Sequence, residues 1–114
     1  TTPSIQEGDL LIVGSGSGNT ASLVSNAKTA KAQGAKVATV TMFPENKIGS
    51  MADAAIRIPG VTEKCAGQGK GSVQSSGSSF EELTWITYDA IVMDLMGITK
   101  QGDKELFARH ANME

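Results

Sequence analysis

Chemistry in this chain gathers at three places. The first is the run Gly14-Ser15-Gly16-Ser17-Gly18-Asn19-Thr20. Its glycines allow close backbone approach, its N–H groups can converge on an anion, and Ser15, Ser17 and Thr20 add hydroxyl donors. The second is Glu81, with Ser78 three residues before it. A carboxylate held at the start of a helix can serve as a general base. The third is His110, the one imidazole in the sequence, which titrates near neutrality and can act as acid or base.

The run carries no lysine, so the Gly-Lys-Ser/Thr ending of a nucleoside-triphosphate loop is absent. Its chemistry is phosphate gripping rather than phosphoryl transfer. Gly16-x-Gly18-x-x-Ala21 also meets a loose dinucleotide fingerprint. That fingerprint wants an acid near the end of the second strand, where this chain reads Val40-Thr41-Met42-Phe43 and reaches Glu45 only after Pro44. A phosphate monoester is the favoured ligand, and a turn that merely caps a helix is the plain alternative. Ser78-x-x-Glu81 likewise has the spacing of a capping box, in which Glu81 satisfies a helix-end N–H. His110 could equally be a solvated bystander, and Arg109 an exposed ion-pair partner rather than a phosphate ligand.

These residues need a scaffold. Residues 9–15 form a short apolar run, suited to a strand covered on both faces in a parallel sheet. Residues 19–33 space Ala21, Leu23, Val24, Ala27 and Ala30 as a helix does, and Gly34 stops it. Residues 36–43 predict a second buried strand, 46–53 a short helix, and 54–58 a third strand ended by Pro59. Alternating strands and helices predict an α/β domain with a parallel sheet and right-handed crossovers. Residues 60–79 read as a long Gly/Ser loop that is functional or disordered. Residues 78–97 predict one long helix, apolar nearly all round in its second half, hence buried or packed on another subunit.

Composition narrows the classes. The chain has 114 residues, which fits one domain. A net charge of −2 with 19% charged residues offers no basic stripe for nucleic acid. Cys65 and His110 alone leave zinc short of ligands and exclude an internal disulfide. No apolar window is long enough for a membrane span, and the N-terminus lacks a secretion pattern. A cytoplasmic setting is expected. The chain opens without methionine, close to a buried-looking strand, and so reads as a piece of something longer.

Ser15-Gly-Ser-Gly-Asn-Thr20 after an apolar strand resembles the sugar isomerase (SIS) domain. Gln74-Ser-Ser-Gly-Ser-Ser-Phe-Glu81 and the ending Arg109-His-Ala-Asn-Met-Glu114 resemble the 6-phospho-3-hexuloisomerase family more specifically. The resemblance covers essentially the whole chain. It departs at Asn19, where the family usually has Glu, and family members are longer at the N-terminus. It implies a three-layer, flavodoxin- or Rossmann-like parallel-sheet domain, of which this is the C-terminal portion. The implied reaction is D-arabino-hex-3-ulose 6-phosphate to fructose 6-phosphate, a step of formaldehyde fixation through the ribulose monophosphate route. It implies no cofactor and no metal, with Glu81 as base and His110 assisting in its own or a neighbouring subunit's site. Ser15, Gly16, Ser17, Gly18, Asn19, Thr20 and Ser78 would hold the sugar phosphate, in a homodimer or homotetramer. SIS domains also serve as non-catalytic phosphosugar sensors, which is the rival reading, and a fragment inactive by itself is the third.

Overall fold

A computed structural model describes residues 3–60 and 77–108. The chain runs β1 (Leu10–Gly14), α1 (Ala21–Ala32), β2 (Lys36–Thr41), α2 (Lys47–Met51), β3 (Ala54–Arg57), α3 (Ser78–Thr99) and α4 (Asp103–Ala108). The strands form one parallel sheet in the order β1-β2-β3, with Ile12 opposite Ala38 and Val40 opposite Ile56. The α/β parallel-sheet class is as the sequence predicts.

The strand order explains where the core lies. Successive strands step across the sheet in one direction, and right-handed crossovers then place both connecting helices on the same face. Val24, Ala27 and Ala30 of α1 and Ile48 of α2 accordingly bury themselves with Val13, Ala35 and Val37 in one cluster. Gly34, with φ +81, ends α1 in the left-handed region as its position suggests. On the same face of β2, the Thr39 hydroxyl donates to the Val13 carbonyl at 2.9 Å, satisfying a buried polar group.

The other face differs from expectation. Leu10 and Ile12 of β1 and Ile56 of β3 are exposed, and β3 is exposed at every residue. Only central β2 is a buried strand. An apolar run reports hydrophobicity, whereas burial on both faces needs a second covering layer, and α1 and α2 are both committed to the first. At the carboxyl end this face does close, with Val40, Met42, Ile58 and Phe80 buried.

The expected loop over residues 60–79 falls largely on 61–76, outside the described residues. Two compact units divide between Thr84 and Trp85. In the second, α3 continues to Thr99, and Lys100 (φ 54) ends it with a left-handed residue. Trp85, Ile86, Val92, Met93, Leu95 and Ile98 stand exposed, Trp85 at 79%. Burial pushes the half-buried Tyr88 phenol up from its ordinary pKa. Among the described residues no helix is long and apolar enough to cross a membrane. The short α4 begins where the Glu105 carboxylate accepts the Gly102 N–H at 2.9 Å, half of a capping box.

Candidate anion-binding site

The candidate site is the connection from β1 to α1, and its shape comes from where its carbonyls go. Past Gly14, the Ser15 N–H extends the sheet by one bond to the Val40 carbonyl, at 3.0 Å. The Gly16 carbonyl accepts from the Met42 N–H at 3.1 Å and from the Thr41 hydroxyl at 3.3 Å. The Ser17 carbonyl accepts from Asn46 Nδ2 at 2.7 Å, and the Gly18 carbonyl from the Ile48 N–H at 3.0 Å. Three successive carbonyls are thus held by the connection from β2 to α2. Gly18 makes this possible with φ +67. A Cβ there would stand 3.2 Å from Asn46 Cβ and Thr41 Oγ1, and 3.3 Å from the Phe43 carbonyl oxygen.

With the carbonyls engaged, the amides are left. The Gly18 N–H donates to the Ser15 carbonyl at 3.2 Å and to Ser15 Oγ at 3.1 Å, and the Asn19 N–H to Ser17 Oγ at 3.2 Å. The N–H groups of Gly16, Ser17, Thr20 and Ala21 meet no acceptor among the described residues. Thr20 stands at the N-cap of α1 without making a side-chain cap bond, and no acid occupies the helix's first turn. A helix N-terminus carries partial positive charge on its unpaired amides, and here neither cap nor carboxylate neutralises it. Ser15 and Ser17 are buried. Each Oγ accepts a backbone N–H, which leaves the hydroxyl proton to be given. Thr20 Oγ1 lies 3.4 Å from Ser15 Oγ, and either can donate. The arrangement suits a tetrahedral oxyanion.

Asn19 also serves the opposite connection. Its Oδ1 accepts the Lys47 N–H at 3.1 Å, the first amide of α2. Sequence reasoning missed Thr41 and Asn46 altogether, along with Gly49, where a Cβ would overlap the Pro44 carbonyl. The only local signal was asparagine ahead of a short helix, which reads as an ordinary N-cap.

The Glu81 region is built separately. The helix starts at Ser78, and the Glu81 N–H donates to the carbonyl of Gly77 (φ +85) at 3.0 Å. Ser78 thus lies inside the first turn, whereas a capping box needs its serine just before the helix. Glu81 is exposed and Phe80 beside it is buried. A Cβ on Gly60 would lie 2.9 Å from Met42 Sδ and 3.3 Å from Phe80 Cβ. The start of α3 therefore meets the end of β2, at the residue whose N–H holds Gly16. One turn further, Thr84 buries a hydroxyl with no hydrogen-bond partner among the described residues. The structure gathers residues 15–20 into one loop and sets Ser78 and Glu81 on the helix that reaches that end of the sheet. His110 and Arg109 lie outside the described residues. Among those described, no group of three His, Cys, Asp or Glu could hold a metal ion.

Comparison with known proteins bears on this geometry. The sequence profile of the SIS domain matches residues 1–83. A 3-hexulose-6-phosphate isomerase of Bacillus subtilis is 41% identical over 113 residues, covering 99% of this chain and 61% of that protein. One from Mycobacterium gastri is 40% identical over 114 residues, covering 100% and 57%. A crystal structure of a hypothetical protein of Methanococcus jannaschii, described as inferring a function of 3-hexulose-6-phosphate isomerase, superposes with a TM-score of 0.73 at 30% identity. That match covers 100% of this chain and 59% of the other. The chain thus spans about three fifths of the length of the relatives it matches.

Proposed function

The chain belongs to the SIS domain family, and from that premise we propose that it is part of a phosphosugar isomerase whose phosphate-binding loop is residues 15–20. The observation that carries this reading is the set of amides at Gly16, Ser17, Thr20 and Ala21, without an acceptor among the described residues, in front of an uncapped helix. The names of the relatives supply the substrate class, and the reaction we assign is D-arabino-hex-3-ulose 6-phosphate to fructose 6-phosphate. Residues 1–114 act within one SIS domain in a cytoplasmic enzyme of the ribulose monophosphate route.

The loop holds the phosphate and so fixes the sugar's distance from the base. Glu81 removes the proton from C2, next to the C3 carbonyl, and the electron pair moves to give a cis-enediolate between C2 and C3. The same carboxyl returns the proton to C3 while the O2 proton is transferred toward O3, leaving the carbonyl at C2. His110 moves the oxygen-borne proton, and Ser78 lies on the helix that carries Glu81, at the sugar end of the substrate. N–H donors facing the enediolate oxygens would lower its energy further. The exposed apolar residues of α3 after Thr84 are covered in a homodimer or homotetramer, to be read by light scattering.

The test is a coupled assay that follows fructose 6-phosphate from the hexulose phosphate, with Glu81→Gln as the variant. Loss of the base lowers turnover by about a hundredfold or more, while phosphosugar binding persists. Unchanged turnover would remove Glu81 from the mechanism. The loop's contacts are complete within residues 15–48 and owe nothing to Glu81, which favours a second reading, a phosphosugar-binding module without turnover. Binding without exchange of the C2 proton into deuterated water would establish that one.

A further inference from the structure

Two asparagines exchange places across the two strand-to-helix connections. Asn46 is the N-cap residue of α2 but makes no cap bond there. Its Nδ2 reaches instead to the Ser17 carbonyl at 2.7 Å. The first amide of α2, Lys47 N–H, is taken at 3.1 Å by Asn19 Oδ1 from the opposite connection. Each side chain thus serves the other's loop. Asn46 is half-buried, so its bond is shielded from competing water, and its Cβ also packs where Gly18 has no side chain.

A peptide unit's carbonyl and the N–H of the following residue point in opposite directions. Drawing the Ser17 carbonyl toward Asn46 turns the Gly18 N–H toward Ser15, and the neighbouring bonds at Gly16 and Gly18 rotate the flanking units in register. An unrestrained Gly-Ser-Gly turn would sample many conformers, and ordering it on binding would cost affinity. We propose that Asn46, together with Asn19, is a positioning residue of the anion site: its bond fixes the Ser17–Gly18 peptide, and with it the shape of the loop that carries the open amides of Gly16, Ser17, Thr20 and Ala21. This rests on the reading of residues 15–20 as a phosphate loop.

The test is titration with inorganic phosphate, followed by amide NMR shifts of residues 15–21 below the melting range of every protein compared. One neutral hydrogen bond lost from the preset loop predicts about five- to tenfold weaker binding in Asn46→Ala. Asn46→Gln, which keeps an amide donor, recovers part of the loss, whereas a purely structural role would not distinguish the two once both are folded. Asn19→Ala removes the opposite half of the exchange and weakens binding in the same direction; it serves where Asn46→Ala fails to fold. Wild-type protein that binds phosphate while Asn46→Ala, or in its place Asn19→Ala, stays within about twofold overturns the positioning role alone. Asn46→Gln no better than Asn46→Ala overturns the hydrogen bond as its cause. Wild-type protein that does not bind phosphate overturns the loop reading, and this inference with it.

Discussion

Two strand-to-helix connections leave the carboxyl end of the same sheet, one after β1 and one after β2, and they are finished in opposite ways. The second is closed: the first amide of α2 is taken by Asn19, the Ile48 N–H by the Gly18 carbonyl, and Gly49 packs against the Pro44 carbonyl. The first is open, with an N-cap threonine that does not cap and amides that meet no acceptor among the described residues. Parallel α/β sheets gather ligands at this end, but position alone would nominate both connections. What separates them is that the closed one supplies the partners holding the open one's carbonyls. One turn is spent on shaping the other.

The largest effect expected from breaking this division of labour is at Gly49. Alanine there would drive Cβ into the Pro44 carbonyl, which is backbone and cannot swing aside. Gly49→Ala should cost about 3 kcal/mol, read as a lowered midpoint in urea, and should loosen the phosphate loop along with the connection that supports it. A cost below about 0.5 kcal/mol would show that the β2–α2 connection is free to move and is no rigid support. A smaller effect is expected at Thr20. A working threonine cap is worth about 1 kcal/mol to its helix, but Thr20 makes no cap bond. Thr20→Val should therefore leave stability nearly unchanged while phosphate binding weakens about tenfold, the loss of one hydroxyl bond to a charged ligand. Stability falling with affinity unchanged would make Thr20 an ordinary cap and the open connection an ordinary turn.

Much of this was readable from the residues, and what was not has physical causes. The α1 spacing, its Gly34 stop, the β-branched β2 and the Gly/Ser run are local patterns, and local patterns determine local structure. The bond from Asn46 to Ser17 crosses 29 residues of chain, and no spacing rule says which two turns will meet. Asn19 was expected at the ligand because it sits in the run; no spacing shows that its side-chain Oδ1 also reaches the first amide of α2. Thr39 and Thr41 read as β-formers, although their hydroxyls hold the Val13 and Gly16 carbonyls. The apolar run of β1 suggested burial on both faces, but hydrophobicity does not say what covers it, and Leu10 and Ile12 are exposed. Ser78 and Glu81 matched a capping box in spacing, and a one-residue shift of the helix start undid the match.

The smallest effect belongs to the opposite end of the sheet and acts as the control. Asp53, just before β3, accepts the Val37 N–H at 2.8 Å and the Lys31 ammonium at 2.9 Å, tying α1, β2 and β3 at their far ends. The Val37 amide first, and then Lys31, hold its carboxyl below its ordinary pKa of 3.8. Because the folded value is the lower one, the carboxylate's contribution is complete above 3.8 and is lost as pH falls from there through the folded value. Asp53→Asn should lower the melting temperature by a small, constant amount from neutrality down to about pH 5. The gap from wild type should then close as acid protonates the native carboxyl. The group is exposed, so the effect is modest and shrinks with added salt. Phosphate affinity at neutral pH should be the same in both proteins, since Asp53 shares no hydrogen bond with residues 15–20. A variant that weakened phosphate binding would mean that the open connection answers to the whole sheet rather than to its neighbouring turn.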